Sequence, residues 1–343
     1  MPLTDPARRA GAVLALALAA VLVLAVPALA QPSPTPPPLP PGPGSTNRPT
    51  PVEPGAGQAA KRRLDERRGR VPANVAAWYV DPATNQTVVA VVGPATRDAT
   101  DFAADENPAA VRVQPMSAPI RPLGDGAQRS SALRQAAAAP LVGGSAITTV
   151  TSTTTSGGTT TRTGLRCSDG WSVRRGTTTY LLTAGHCTQG TTSWSGPNGQ
   201  TIGTVARTAW PTADYGIVQV TDTAAWRGSG QVRGGPTVTG ATEAPVGTQV
   251  CRSGSTSGYH CGVVRAKNVT VNYGSGVVVQ GLTQTTACAD SGDSGGSVLA
   301  PGTRQAQGLL SGGSGSCAGG GTSYFQPLRP ILNQFGLTLV TGS

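Results

Sequence analysis

Ser291-Gly292-Asp293-Ser294-Gly295-Gly296-Ser297 is the stretch on which the reading turns. A flexible Gly/Ser loop accounts for its three glycines and three serines, but not for the aspartate embedded among them. Glycines on either side of Asp293-Ser294 instead permit a sharp bend. Such a bend exposes one hydroxyl and leaves room for a carbonyl to approach the backbone N–H groups of Gly292 and Ser294. A serine hydroxyl is a poor nucleophile until a base accepts its proton. The base has to lie elsewhere in the chain.

The choice is narrow, because the chain contains only two histidines, His186 and His260. His186 closes Leu181-Leu182-Thr183-Ala184-Gly185-His186-Cys187, at the end of an apolar strand, whereas His260 lies in a Gly/Ser loop. A lone histidine at a strand end is usually structural, so a partner is needed. The acids beyond His186 are Asp214, Asp222, Glu243, Asp290 and Asp293. Asp222 sits in a turn and Glu243 in a loop, and the side chain of Asp293 points away from that of its neighbour Ser294. Asp214, in Ala213-Asp214-Tyr215-Gly216-Ile217-Val218, enters an apolar strand. A partly buried carboxylate there requires a donor, and an imidazole N–H both supplies one and fixes the tautomer of the ring. Gly292–Gly296 also fits the G-x-S-x-G turn of α/β-hydrolases. Those enzymes run Ser, Asp, His along the chain, whereas here both histidines precede Ser294, and no alternation of helices with parallel strands occurs.

Composition divides the chain near residue 140. Of 29 prolines 22 precede residue 141, while 38 of 47 glycines follow it. Residues 1–30 read as a cleaved secretory signal: Arg8-Arg9, the apolar run Gly11 to Val26, and Ala28-Leu29-Ala30 before Gln31. That run stops at Pro27, short of the ~20 residues of a membrane span. Residues 31–57 form a proline-rich linker, and residues 58–140 an accessory region that precedes the domain at 141–343. Net charge is +10, but the one dense basic run, Lys61 to Arg70, contains acids and reads as a solvated helix or processing segment. Nothing argues for a nucleic-acid partner. Val75–Val80 and Thr87–Val92, around the turn formers Asp81 to Asn85, predict a hairpin in a small domain running to about residue 125.

From Leu141 onward short strands alternate with Gly, Pro, Asn or Asp, which predicts an all-β sandwich or barrel. Thr148–Thr163 is expected as an exposed loop or hairpin, and Pro327–Phe335 as one C-terminal helix stopped by Gly336. Six cysteines, Cys167, Cys187, Cys251, Cys261, Cys288 and Cys317, all lie in this half. In an exported domain they imply disulfides, with 15 possible pairings. No spacing suits a metal site.

Thr183 to Cys187, Ala213 to Val218 and Ser291 to Ser297, in that order, resemble the chymotrypsin-like serine proteases of the secreted bacterial streptogrisin and α-lytic type. The match covers Leu141 to the C-terminus. The resemblance implies two six-stranded antiparallel β-barrels with a C-terminal helix, preceded by a small α+β pro-region. It implies His186 as base, Asp214 as its orienting partner, Ser294 as nucleophile, and Gly292 and Ser294 as oxyanion donors. By the same analogy the bridges are Cys167–Cys187, Cys251–Cys261 and Cys288–Cys317, Arg252 neutralises Asp293, and Ser311 supports Asp214. Ser311-Gly312-Gly313 resembles the edge that pairs with substrate backbone, and Ala289 lines the pocket. A neutral pocket floor of small residues, with Leu310 where glutamate-specific relatives carry a histidine, implies preference for large apolar or aromatic residues before the cut. Val75 to Val89 is similar to the pro-regions of these enzymes, which act as folding aids and inhibitors. The expectation is a secreted, monomeric endopeptidase with no cofactor, no metal and no stable membrane anchor. Its rivals are a catalytically silent binding module and an esterase using the same three residues. The family boundary puts the mature start at Leu141, yet Pro140 does not suit an apolar pocket. Leu133, the neighbouring alanines and Leu141 itself are the alternative cut positions, or another protease makes the cut.

Overall fold

The structure is a computed structural model and describes residues 54–126, 139–156 and 159–342. The signal segment, the linker as far as residue 53, and the alanine-rich 127–138 stretch with Leu133 lie outside the described residues.

Successive strand residues point to opposite faces of a sheet, and in this chain both faces are used. In the strand Thr178–Thr183, Leu181 packs into the core of the N-terminal half with Trp194, Ile202 and Val218. Its neighbour Leu182 packs the other way, with Trp171, Ile217 and Leu309. The same division recurs in Gln305–Ser316, where Leu309 faces Leu182 and Leu310 faces the interior of the C-terminal half. One apolar seam therefore joins two cores. The helix Leu328–Phe335 closes that seam with Leu328 and Ile331, and ends at Gly336 in the left-handed conformation.

The C-terminal half is a closed ring of six strands. Gln249–Gly254 pairs with Ser297–Ala300, then come Gln305–Ser316, Gly320–Pro327, Val277–Thr285 and Gly258–Gly274, which returns to the first. Gly258–Gly274 is one continuous strand of 17 residues. Its register shifts between Ala266 and Val269, where Asn268 has a positive φ of 52°. A bulge absorbs what reads locally as a turn. In the N-terminal half the threonine-rich segment is a hairpin, Ala146–Ser156 with Thr159–Ser168. The three disulfides are Cys167–Cys187, Cys251–Cys261 and Cys288–Cys317.

The accessory region folds as the hairpin Val75–Asp81 with Gln86–Val92, turned at Asn85 (φ 55°), plus the parallel strand Val111–Met116. Its helix Ala56–Glu66 buries Leu64 against Trp78 and Val89. The sheet continues into the C-terminal barrel, with Ala77 opposite Val271 and Trp78 opposite Thr270. Lys61, expected on a solvated face, is buried at this join. Its Nζ lies 2.8 Å from Asp65 Oδ2, one helical turn away, and 3.1 Å from Thr270 Oγ1. Asp65 Oδ1 accepts from Trp78 Nε1 and Thr270 Oγ1 at 2.8 Å each, so the cation is neutralised where it enters.

Asp169 is 2% exposed and, among the described residues, has no ion-pair partner. Burial raises its pKa from the ordinary 3.8 to about 7. Between those values the folded protein holds a proton that the unfolded chain has released, so this group costs stability as pH rises from about 4 to about 7. Asp169→Asn should flatten that dependence and raise the melting temperature more at pH 8 than at pH 4, measured by calorimetry.

Candidate active site

Three side chains reach the seam from the ends of strands. His186 follows Thr178–Thr183 in the short helix Gly185–Thr188, Asp214 precedes Tyr215–Val220, and Ser294 precedes Ser297–Ala300. The first two strands are neighbours, Thr183 lying opposite Gly216, so His186 and Asp214 emerge side by side. His186 Nδ1 lies 2.9 Å from Asp214 Oδ2 and 3.1 Å from Oδ1, and the His186 backbone N–H donates to Oδ1 at 2.9 Å. On the far side of the ring, Nε2 lies 2.6 Å from Ser294 Oγ. Since Nδ1 donates to a carboxylate, the neutral ring presents Nε2 as acceptor to the serine hydroxyl.

Asp214 has no solvent exposure. Burial alone would raise its pKa, but the His186 charge, the His186 hydrogen bonds and the Ser311 hydroxyl together hold it below the usual carboxylate range. Ser311 Oγ donates to Asp214 Oδ2 at 2.5 Å. Ser311 in turn meets Tyr273, O–Oγ 2.7 Å, whose phenol is kept neutral by burial and by the Asp214 charge. Because the Ser311 proton is committed to Asp214, Tyr273 is the donor, giving a Tyr273–Ser311–Asp214 relay. Sequence reasoning missed Tyr273, which sits in a strand like any core aromatic. It also missed Gln326, whose Oε1 accepts from the Asp214 N–H at 3.0 Å, and Trp210, whose ring lies 5.3 Å from the imidazole.

The segment Ser291–Ser297 is a bend. Gly292 and Gly295 have φ of 95° and 79°, values that L-residues with a side chain rarely adopt. A Cβ on Gly295 would also fall 2.0 Å from Thr183 Oγ1. The loop is stitched to the N-terminal half: Ser168 N–H donates to Ser294 O at 2.7 Å, and Ser168 Oγ to Gly292 O at 2.9 Å. Asp293 points the other way, with no exposure. Its Oδ2 lies 3.0 Å from Arg252 Nη1, while Oδ1 accepts from the N–H groups of Thr256 (2.8 Å) and Ser257 (3.0 Å). Arg252 is equally buried and also donates to the carbonyls of Cys288 and Gly258 and to Ser257 Oγ. His260 is outside this arrangement, with Nε2 2.8 Å from Ser257 O.

The cleft is occupied by the chain itself. Pro122 lies opposite Gly312 and Arg121 opposite Gly313 in antiparallel register, and Leu123 N–H donates to Ser311 O at 3.3 Å. The Gly292 N–H donates to the carbonyl of Leu123. The Leu123 side chain, 6% exposed, belongs to one apolar cluster with Ala289, Leu310 and Phe325. Its Cδ atoms lie 3.6 and 3.8 Å from where a Cβ on Gly313 would stand. Gly312 has no room for a side chain at all: its Cβ would meet Tyr273 Cε1 at 2.4 Å and Arg121 O at 2.7 Å.

A double-barrelled β fold with Ser, His and Asp converging on its seam defines a chymotrypsin-like serine protease scaffold. Residues 173–333 match the family described as Trypsin, and residues 58–106 the family described as Alpha-lytic protease prodomain. The chain is similar to Streptogrisin-C of Streptomyces griseus, 40% identical over 289 residues, 83% of this chain and 56% of that protein. It is similar to Serine protease 2 of Streptomyces fradiae, 48% identical over 47% of this chain and 94% of that one. Among solved structures, that of Nocardiopsis protease superposes with a TM-score of 0.50 at 38% identity, covering 59% of this chain and 100% of that one. The chain belongs to the trypsin family of serine proteases, with streptogrisins as relatives and an α-lytic-type prodomain in front. It spans about half the length of the streptogrisins it matches, 56%, 45% and 59% of the C, D and A proteins.

Two substitutions separate the buried groups. Arg252→Ala leaves Asp293 as an unpaired buried charge and should cost about 3–5 kcal/mol of stability, read by urea unfolding on the Ser294→Ala background. Tyr273→Phe removes only the donor to Ser311. It should lower kcat roughly 5-fold, the equivalent of about 1 kcal/mol for one hydrogen bond, with KM changed less than kcat.

Proposed function

We propose that the chain is an exported serine endopeptidase, made with its pro-region, that cuts after large apolar residues through an acyl-enzyme on Ser294. The observation that carries this reading is the 2.6 Å contact of Ser294 Oγ with His186 Nε2, the ring being held from behind by Asp214 at 2.9 Å. As Ser294 attacks a peptide carbonyl, its proton passes to Nε2, and the buried Asp214 stabilises the imidazolium so formed. The N–H groups of Gly292 and Ser294 are the proposed donors to the developing oxyanion, each worth ~3 kcal/mol to the transition state. The same imidazolium then protonates the leaving nitrogen. Water, activated by the ring, releases the acyl group.

Substrate recognition in this reading is strand addition to Ser311–Gly313, which favours extended peptides over simple esters. The preference follows from the neighbours of Leu123: Ala289, Leu310, Phe325 and Gly313 offer neither a cation for glutamate nor a carboxylate for arginine. Export is supported by the signal-like residues 1–30 and by the three disulfides.

The test is labelling of processed protein with a fluorophosphonate, beside hydrolysis of Phe, Leu, Arg and Glu peptide substrates. Ser294→Ala should abolish labelling, and Asp214→Asn should cut kcat by ~10⁴. Phe and Leu substrates should exceed Arg and Glu by at least about 100-fold. Folded, processed protein that neither labels nor hydrolyses would instead be a silent binding module, and cleavage of esters alone would make it an esterase.

A further inference from the structure

We propose that the chain's first substrate is its own Leu123–Gly124 bond, cut in cis by Ser294, so that the released enzyme begins at Gly124. The proposal rests on the peptidase reading above, and it differs from the boundary at Leu141 that family alignment leads one to expect.

The bond is presented from both sides. Upstream, Arg121 and Pro122 pair with Gly313 and Gly312. Downstream, Asp125 pairs with Arg166 and Gly126 with Leu165, on the edge of the other half. The strand therefore crosses the seam, and Leu123–Gly124 falls where it passes the three converging side chains. The Leu123 carbonyl takes the Gly292 N–H, the interaction an oxyanion would use. Gly124 abuts the base: a Cβ there would stand 3.3 Å from His186 Cδ2 and 3.5 Å from Nε2. Thus the group that must protonate the leaving nitrogen sits beside it, and glycine leaves it space.

Pro140–Leu141 is tied elsewhere. Ala139 and Pro140 pair with Trp226 and Arg227, and the Leu141 N–H donates to Arg227 O at 2.9 Å. Leu141 is 3% exposed, within the core of the N-terminal half. Cutting there would require extracting a core side chain and seating Pro140 in a pocket that already holds Leu123.

The step balances as follows. Ser294 Oγ bonds to the Leu123 carbonyl carbon while its proton moves to His186 Nε2. The C–N bond to Gly124 breaks as that proton passes to the Gly124 nitrogen, leaving an ester on Ser294 and a free amine. Water attacks the ester, gives one proton to His186, and yields the Leu123 carboxylic acid, which loses water's other proton to solvent to become the carboxylate. His186 returns the proton to Ser294.

The test follows the purified full chain from the start of folding, with mass spectrometry of both new termini at several protein concentrations. The expected result is an early fragment whose carboxyl end is Leu123, formed at a rate independent of concentration, and absent in Ser294→Ala. Leu123→Asp should slow this cut at least about 100-fold, Leu123→Met should restore it, and Leu133→Asp should leave it unchanged. The carboxyl end of the first fragment is decisive whatever later trimming does to the amine end, so a folding failure of one variant does not remove the test. A first fragment ending at Leu133, Pro140 or Leu141, or a rate that rises with concentration, overturns the proposal while peptide hydrolysis stands. Loss of both self-cleavage and peptide hydrolysis would overturn the peptidase reading as well.

Discussion

A carboxylate sealed from water, that of Asp214, is the constraint on which the rest of the site depends. Left alone in such a place it would take up a proton. It stays charged because donors converge on it from both halves: the ring and backbone of His186 from one, and Ser311 from the other. The backbone N–H of Asp214 is held by Gln326, again across the seam. Docking of the two halves therefore adds to what His186, within one half, already does to keep Asp214 ionised. The apolar seam beneath it is built from paired leucines facing opposite ways, Leu181 and Leu182 in one half, Leu309 and Leu310 in the other. Each strand must fill its own core and grip its neighbour's.

A second buried charge shapes the Ser291–Ser297 loop. Asp293 cannot face solvent, because Ser294 must face the cleft and adjacent side chains diverge. Arg252 meets it, and the leftover guanidinium donors are absorbed by the carbonyls of Cys288 and Gly258. The Cys288–Cys317 bridge lies against the same guanidinium, with Nη2 2.9 Å from Cys317 Sγ. The ion pair thus anchors the bend in place independently of where any chain terminus lies. Its partner is an internal side chain.

The pro-region is attached by the same two kinds of force. Its sheet extends the barrel through Ala77–Val271 and Trp78–Thr270, and Lys61 and Asp65 carry a neutral polar pair into that join. From there the strand Val111–Met116 leads to Ile120, which packs with Val271 and Tyr324, and then to Leu123 in the cleft. Backbone pairing is indifferent to sequence, which lets a segment with Pro122 in it serve as an added strand; proline is tolerated at an edge. The side chains on either side set the register.

The amino-acid sequence by itself was enough to single out the three side chains that the structure brings together. Only two histidines exist, one acid enters an apolar strand, and one serine is bracketed by glycines whose positive φ the fold requires. It was also enough for the hairpin at Asp81–Asn85 and the terminal helix, because turn formers and helix stops act over a few residues. Three things were decided by tertiary structure alone. Tyr273 and Gln326 read as ordinary strand residues until the strands carrying them close around Asp214. Lys61 reads as solvated until Thr270, far along the chain, arrives beside it. Leu123 reads as one leucine among others until its backbone meets Ser311 and Gly292. In each case the partner lies many residues away, and local pattern carries information only about neighbours within a turn or a strand. Chemistry concentrated in rare residue types is legible in one dimension; the contacts that hold and feed it exist only once distant strands share an edge.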